Sequence, residues 1–438
     1  MIAPSNASMS ESPARAMTEG RNQDILIILL YAQDSKGMGH VTRNLTIARH
    51  LLAAYPNAVA FIATESPVVD DFSLPRRCDY IKLPRRLIPD GIRETQAEAS
   101  DGKDHFRDIR GRMLREAALG LAPDLVLVDH EPFGYRGEFR EGLFALKDRY
   151  PDTKLVLGLR DIMDDPGRIR AKWREKGVYD ALKDLYDGIA VYGSRSLYDV
   201  ADAYGIPPPV MSKLHYCGFV VREPPDVDPV AVRLRYGLPS KGPLVVATVG
   251  SGIDGAPVLE ATEAAVERLR AKFPDLRAVL VTGPFMPSEQ QAKLQEHATA
   301  AVRVVPRADN FQLMACADAI VSMGGYNSVY EALVVGRPLV IVPRCTHKVE
   351  QRIRAETLAA HDLARWIHPE NLNKGRLAED LEWALTRDRA AHARLVREVI
   401  PSFDGAANLT AYLGSWLGRA PAGGGHSGKE PSPLVQPA

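Results

Sequence analysis

Short apolar runs without polar alternation recur along the whole chain, and that recurrence constrains the fold more than any other feature. They fall at 25–30, 59–63, 125–128, 155–157 and 188–191, and again at 244–248, 278–281, 303–305, 319–321 and 339–342. An uninterrupted apolar run is the pattern of a strand buried on both faces, as in a parallel sheet covered by helices. The segments between runs suit helices: after the first run, Val41, Leu45, Ala48 and Leu52 fall on one helical face. This alternation predicts the α/β class with doubly wound parallel sheets. A chain of 438 residues exceeds one core, so two Rossmann-like domains of about 200 residues each are expected. The proline-rich stretch Arg222-Glu-Pro-Pro-Asp-Val-Asp-Pro229 separates the two series. The expected boundaries are 23–220 for the first domain, 221–242 for a linker and 243–415 for the second. Segments 1–22 and 416–438 are polar and are expected to be disordered.

Composition removes several function classes. The 55 basic and 55 acidic residues balance, so no overall field favours nucleic acid as a partner. Cys78, Cys217, Cys316 and Cys345 are scattered without metal-ligand spacing and read as thiols. No apolar run approaches the roughly 20 residues that span a bilayer, and 1–22 has no apolar core of a signal peptide. A cytoplasmic location is expected.

The stretch Met323-Gly-Gly-Tyr-Asn-Ser-Val-Tyr-Glu331 carries the chemistry most clearly. A strand runs into Gly324 and Gly325, and a helix starts at once with its unpaired N–H groups available to an anion. Asn327, Ser328 and Glu331 lie in its first turns, with Glu331 at i+4 from Asn327 on one face. A carboxylate one turn inside a phosphate-binding helix suits a ribose diol, which points to a nucleotide site. Near the other end, Gly37-Met-Gly39-His40-Val-Thr42 follows the first strand, where open α/β sheets bind ligands. The helix dipole at His40 opposes an imidazolium and favours the neutral base. Gly250-Ser251-Gly252 is another glycine turn at a strand end, suited to a diphosphate. Asp129, at the end of the 125–128 run, orients His40, holds the acceptor or caps the next turn. Arg160-Asp161 is read as a structural ion pair.

Together these residues resemble a known family. Gly324-Gly325-Tyr326-Asn327-Ser328 with Glu331-Ala332, Gly336-Arg337-Pro338, Val342-Pro343-Arg344 and Glu350-Gln351 is similar to the C-terminal domain of glycosyltransferase family 28. That family includes the lipid-intermediate N-acetylglucosaminyltransferase of peptidoglycan synthesis, and it also carries an N-terminal glycine turn with a histidine. The resemblance implies a GT-B fold, two Rossmann-like domains facing a cleft, and an inverting transfer of a hexose from a nucleotide-diphosphate sugar, with UDP as the carrier. It places His40 as base and Gly250, Ser251 and Gly252 at the donor diphosphate. It also places Glu350 and Gln351 on the hexose; His347, in the same loop, either meets a phosphate or hydroxyl or is solvated. Many relatives have two glutamines at the last pair, so Glu350 leaves the sugar open.

No Asp-x-Asp stands at a strand end, since Asp226-Val-Asp228 lies in the proline-rich stretch. The expected reaction needs no metal and no cofactor beyond the nucleotide sugar, with helix dipoles and backbone donors on the leaving diphosphate. The acceptor is open, of lipid-linked or glycan type. Arg76, Arg77, Lys82, Arg85, Arg86 and Arg93, interleaved with leucines, form a candidate peripheral contact with the inner membrane face or a solvated loop. Two other functions fit the same scaffold: a nucleotide-sugar 2-epimerase and a non-enzymatic nucleotide-sugar-binding protein.

Overall fold

A computed structural model describes residues 24–33, 38–85, 102–346 and 348–417. Gly37, His347, Arg86 and Arg93 therefore lie outside the described residues. The first half is a seven-stranded parallel sheet. Its strands are β1 (Leu26–Ala32), β2 (Ala58–Thr64), β3 (Cys78–Lys82), β4 (Leu125–Asp129), β5 (Lys154–Arg160), β6 (Gly188–Tyr192) and β7 (Leu214–Tyr216). Their order is β3-β2-β1-β4-β5-β6-β7. The second half is a six-stranded sheet of β8 (Leu244–Thr248), β9 (Arg277–Val281), β10 (Val302–Val305), β11 (Ala319–Ser322), β12 (Leu339–Ile341) and β13 (Ala364–Trp366). Its order is β10-β9-β8-β11-β12-β13, and its strand pairs are parallel. Both sheets reverse direction of winding beside their first strand, between β1 and β4 and between β8 and β11. Those two switch points are where such sheets open a crevice beyond the strand ends.

The central strands are apolar because helices cover both faces; β4, β6, β8 and β11 have no exposed residue. The halves do not keep separate inner cores. One apolar cluster runs from Ile28 and Val41 through Phe219 to Val246 and Tyr330, and the Phe219 and Tyr330 rings stack with centroids 3.8 Å apart.

Two departures from the sequence expectation concern the chain's path between halves. The segment expected as a linker, 221–242, contains the helix Pro229–Arg235. Asp228 caps its first turn by accepting from Val230 N, and Val232 is buried. Helix formation there follows from Asp at the cap and Pro at the first position, a strong start signal. At the other end, the helix Gly405–Leu417 leaves the second sheet and packs against the helix Gly39–Ala54 of the first. Asn408 Nδ2 donates to Cys217 O at 2.7 Å, and Tyr412 stacks on His215 at 4.3 Å.

Candidate active site

His40 stands in the first turn of the helix Gly39–Ala54, just beyond β1, and Asp129 is the last residue of β4. The adjacency of β1 and β4 brings them together across the switch point. His40 Nδ1 lies 2.6 Å from Asp129 Oδ2. An ionised carboxylate only accepts, so this contact places the imidazole proton on Nδ1 and the lone pair on Nε2. Arg43, one turn further on, grips the same carboxylate with Nε at 3.2 Å and Nη2 at 2.6 Å. Asn44 Nδ2 donates to the His40 carbonyl at 2.9 Å and to Asp129 at 3.3 Å.

The electrostatics follow from burial. Burial lowers the His40 pKa first; Asp129 opposes this and Arg43 adds to it, leaving a value of about 4. Burial would raise Asp129, but Arg43 first and His40 second pull its carboxyl down to about 2. At neutral pH the pair is a neutral imidazole held by an ionised carboxylate. This is the protonation state of a general base with an orienting partner. The Asp129 carboxylate is thus spent on His40, Arg43 and Asn44.

The second switch point supplies the other wall. Gly324 has φ +81°, and a side chain there would meet Ile341 and Gln351. Gly325 precedes the helix Tyr326–Val334 and has open space where a Cβ would project. Asn327 and Ser328 lie in the first turn, half-buried. Asn327 Nδ2 donates to Gly39 O at 3.3 Å, so the two glycine motifs touch directly. Glu331 lies one turn inside, 5% exposed, and accepts from Arg222 Nε at 2.7 Å. Burial raises its pKa, with Arg222 acting against the rise. Thr42, Arg43, Thr46, Arg222, Asn327 and Glu331 line a small open cleft between the halves. The Thr42 hydroxyl is bonded back to the Met38 carbonyl at 2.8 Å.

The turn after β8 divides its glycines by task. At Gly252 (φ +95°) a Cβ would lie 2.2 Å from Thr282 O, so this glycine serves packing against 282–286. Gly250 and Ser251 are on the accessible side. Ser251 O accepts from Phe285 N at 2.9 Å. Gln351 Oε1 accepts from Arg344 N at 2.9 Å, so its amide first fixes the end of the loop beyond β12. Glu350 heads the helix Glu350–Ala360, with one carboxylate oxygen buried and without a hydrogen bond.

Several important residues were not assigned from sequence. Arg43 sits at i+3 from His40, a spacing that signals a shared helical face. Asp161 is not paired with Arg160, the partner the sequence suggests; Arg354 holds it from the other half, and Tyr330 donates to it at 2.5 Å. No sequence signal announces Arg222 with Glu331 or Arg354 with Asp161, because the partners lie in different halves.

The basic patch is also reduced. The Arg77 guanidinium donates to the carbonyls of Leu52, Tyr55, Pro56 and Ala58, closing the end of the helix Gly39–Ala54. Lys82 Nζ is bonded to the Glu65 and Leu83 carbonyls. Arg77 is thus a structural residue, which leaves Arg76 and Arg85 as the described guanidiniums of that patch. Among the described residues, no helix is long and apolar enough to cross a membrane, and no group of three or more His, Cys, Asp or Glu is placed to hold a metal ion.

Comparisons with known proteins bear on the fold and the family. Residues 244–396 match the glycosyltransferase family 28 C-terminal domain. An uncharacterized glycosyltransferase of Methanopyrus kandleri is 26% identical over 205 residues, covering 44% of this chain and 55% of that protein. The UDP-N-acetylglucosamine–N-acetylmuramyl-(pentapeptide) pyrophosphoryl-undecaprenol N-acetylglucosamine transferase of Shouchella clausii is 32% identical over 68 residues. That match covers 15% of this chain and 19% of that protein. The chain thus spans about half the length of the first relative and about a fifth of the second. Among solved structures, the glycotransferase of kitacinnamycin superposes with a TM-score of 0.64 at 18% identity, over 90% of this chain and 99% of that one.

Two parallel-sheet domains with their switch points turned to one cleft define a GT-B protein. Within that class the chain resembles glycosyltransferase family 28, whose C-terminal domain its second half carries.

Proposed function

We propose that this protein is an inverting, metal-independent glycosyltransferase that moves a hexose from a nucleotide-diphosphate sugar, UDP being the favoured carrier, to an acceptor hydroxyl. One observation carries the reading: the His40–Asp129 pair is joined, through the Asn327–Gly39 hydrogen bond, to the helix start expected to hold the donor. The UDP-sugar named in the Shouchella relative supports the choice of carrier.

In this reading the acceptor proton passes to His40 Nε2, and Asp129 steadies the imidazolium that forms. The acceptor oxygen bonds to the anomeric carbon from the face opposite the diphosphate. The carbon–oxygen bond to the diphosphate breaks, and its electron pair leaves with the nucleotide, so configuration inverts. The N–H groups at Gly325 and the Gly250–Ser251 turn receive that developing charge. Glu331 takes the ribose hydroxyls, and Glu350 and Gln351 the hexose. His347 belongs to the same proposed donor set. Location in the cytoplasm and a lipid-linked or glycan acceptor are part of the proposal.

Arg222 occupies the Glu331 carboxylate at 2.7 Å, the group assigned to the ribose. Donor entry therefore requires the halves to part, or Arg222 to swing away from Glu331. Closure afterwards excludes water and limits hydrolysis.

The test is a thermal-shift panel of UDP, GDP, dTDP and ADP with their sugar nucleotides. A ligand at about 100 times its dissociation constant stabilises by roughly 2.7 kcal/mol. Selective stabilisation by UDP and a UDP-sugar supports the reading. No shift from any nucleotide overturns it, and conversion of a bound sugar nucleotide without an acceptor replaces it with epimerase chemistry.

A further inference from the structure

The mechanism above leaves an unusual group unexplained. His130 follows Asp129 directly and has φ +75°, a left-handed conformation that a non-glycine residue adopts at a cost. It is 4% exposed, and its Nδ1 is buried without a hydrogen bond. Its ring lies 5.3 Å from that of His40. Arg160, at the end of β5, approaches His130 Nε2 with Nη2 at 3.5 Å, and its own Nε is buried without a partner. Lys348 is exposed on the loop beyond β12, which is tied to the first half where Val349 N donates to Asp164 Oδ1 at 2.9 Å, and it lies within electrostatic reach of Arg160, His130 and Glu350.

The neighbouring carboxylates are already committed. Asp129 is held by Arg43, His40 and Asn44. Asp161 is held by Arg354 and Tyr330, and Glu131 by Lys172 at 2.6 Å. That leaves Arg160 and Lys348 facing Glu350, two cations to one carboxylate. Glu350 makes no ion pair with either among the described residues. Burial destabilises the Arg160 guanidinium, Glu350 offsets part of this, and Arg43 and Arg354 add to it. A guanidinium whose Nε is buried and unmet, beside an unmet imidazole nitrogen, is costly unless an anion completes it.

We propose that Arg160, His130 and Lys348 form an oxyanion-binding site for the acceptor, taking a phosphoryl or carboxylate group next to the hydroxyl that His40 deprotonates. Its acceptor role rests on the glycosyltransferase reading; the anion site itself does not. The position separates it from the donor diphosphate, which is assigned to glycines of the second sheet, whereas Arg160 and His130 end strands of the first. Lys348 reaches across from the donor half, so the anion would bridge the two halves when they close. Acceptors without such a group would lose this anchor.

The test is a calorimetric titration of the full chain with inorganic phosphate, and separately with acetate, each with and without saturating UDP. The expected result is uptake of one anion per chain in the presence of UDP, weakened about tenfold or more in Arg160→Gln, with UDP affinity within about twofold of the parent. Arg160→Lys, which keeps the charge, should retain part of the affinity and shows that loss in the glutamine variant is not misfolding. Tighter uptake of phosphate than of acetate assigns the acceptor group as phosphoryl, and the reverse assigns a carboxylate. Phosphate that UDP displaces, or that binds Arg160→Gln as well as the parent, overturns the proposal. Phosphate uptake that depends on Arg160, in a chain that binds no nucleotide, keeps the anion site and sinks the donor assignment instead.

Discussion

Asp161, one residue beyond β5, and Arg354, in the helix Glu350–Ala360, form a two-armed ion pair across the domain boundary, with Arg354 Nε at 3.0 Å and Nη2 at 2.7 Å from the two carboxylate oxygens. Arg354 is wholly buried, and its Nη1 also donates to Gly324 O at 2.8 Å. The pair therefore ties the acceptor half to the glycine turn of the donor half. Removing one partner of a buried pair leaves a charge unmet, which costs about 3–5 kcal/mol. Arg354→Met should show that loss in urea unfolding. The double variant with Asp161→Asn should recover much of it. Equal losses in the single and double variants would show that the pair is not the source.

His40→Ala should lower turnover by roughly 10²–10⁴-fold while leaving nucleotide affinity nearly unchanged. If Nε2 is the base, the acid limb of kcat/KM for the parent should fall near pH 4, the value set by burial, and not near 6.5. Retained turnover in the alanine variant removes His40 from the mechanism.

Acid should destabilise the fold earlier than the carboxylates alone predict. His40 is held at about 4 in the folded chain against 6.5 when unfolded, so as pH falls the unfolded chain takes the proton first. Its contribution is fully present above about pH 6.5 and is lost progressively as pH falls toward 4. For His40 the loss between pH 7.5 and 5 is about 2 kcal/mol. His130 and His392 shift in the same direction, burial being the leading cause in both. Urea midpoints at the two pH values should show the drop, and His40→Gln should reduce it.

Glu331→Ala should weaken nucleotide binding by about tenfold or more, because a charged acceptor of the ribose hydroxyls is lost. Arg222 loses its partner in the same variant, so Glu331→Gln serves as the milder control. Unchanged UDP affinity in calorimetry would undo the ribose assignment.

Two glycines should respond in opposite ways to alanine. Gly252→Ala drives a Cβ to within 2.2 Å of the Thr282 carbonyl at φ +95°, and should cost on the order of 1–3 kcal/mol of stability. Gly325→Ala meets nothing within 4 Å, at an ordinary φ of −63°. It should leave stability unchanged or slightly raised, yet weaken donor binding by filling the space above the helix start. Thermal melts paired with nucleotide titrations separate the two effects.

The interior strands were legible because burial on both faces leaves an unmixed apolar run. Strands β3, β7 and β13 were not, and all three are sheet edges. Their residues are largely half-exposed, as in Cys78–Lys82 and Leu214–Tyr216, so neither an apolar run nor a clean alternation marks them. The helix Pro229–Arg235 was hidden by the prolines before it, although Asp228 and Pro229 are a start signal. In the site, the glycine motifs and His40 could be read because their chemistry is local. The ion pairs that fasten the halves could not, since a lone arginine carries no mark of a partner more than 100 positions away.

The return of the helix Gly405–Leu417 to the first half bears on how the protein is made. The first sheet leaves the ribosome early, but part of the surface of its helix Gly39–Ala54 is covered by the last described segment of the chain. Synthesis must therefore carry an unfinished first half through the whole of the second. A fragment cut at the linker would remain in that unfinished state, with apolar surface exposed and a tendency to aggregate.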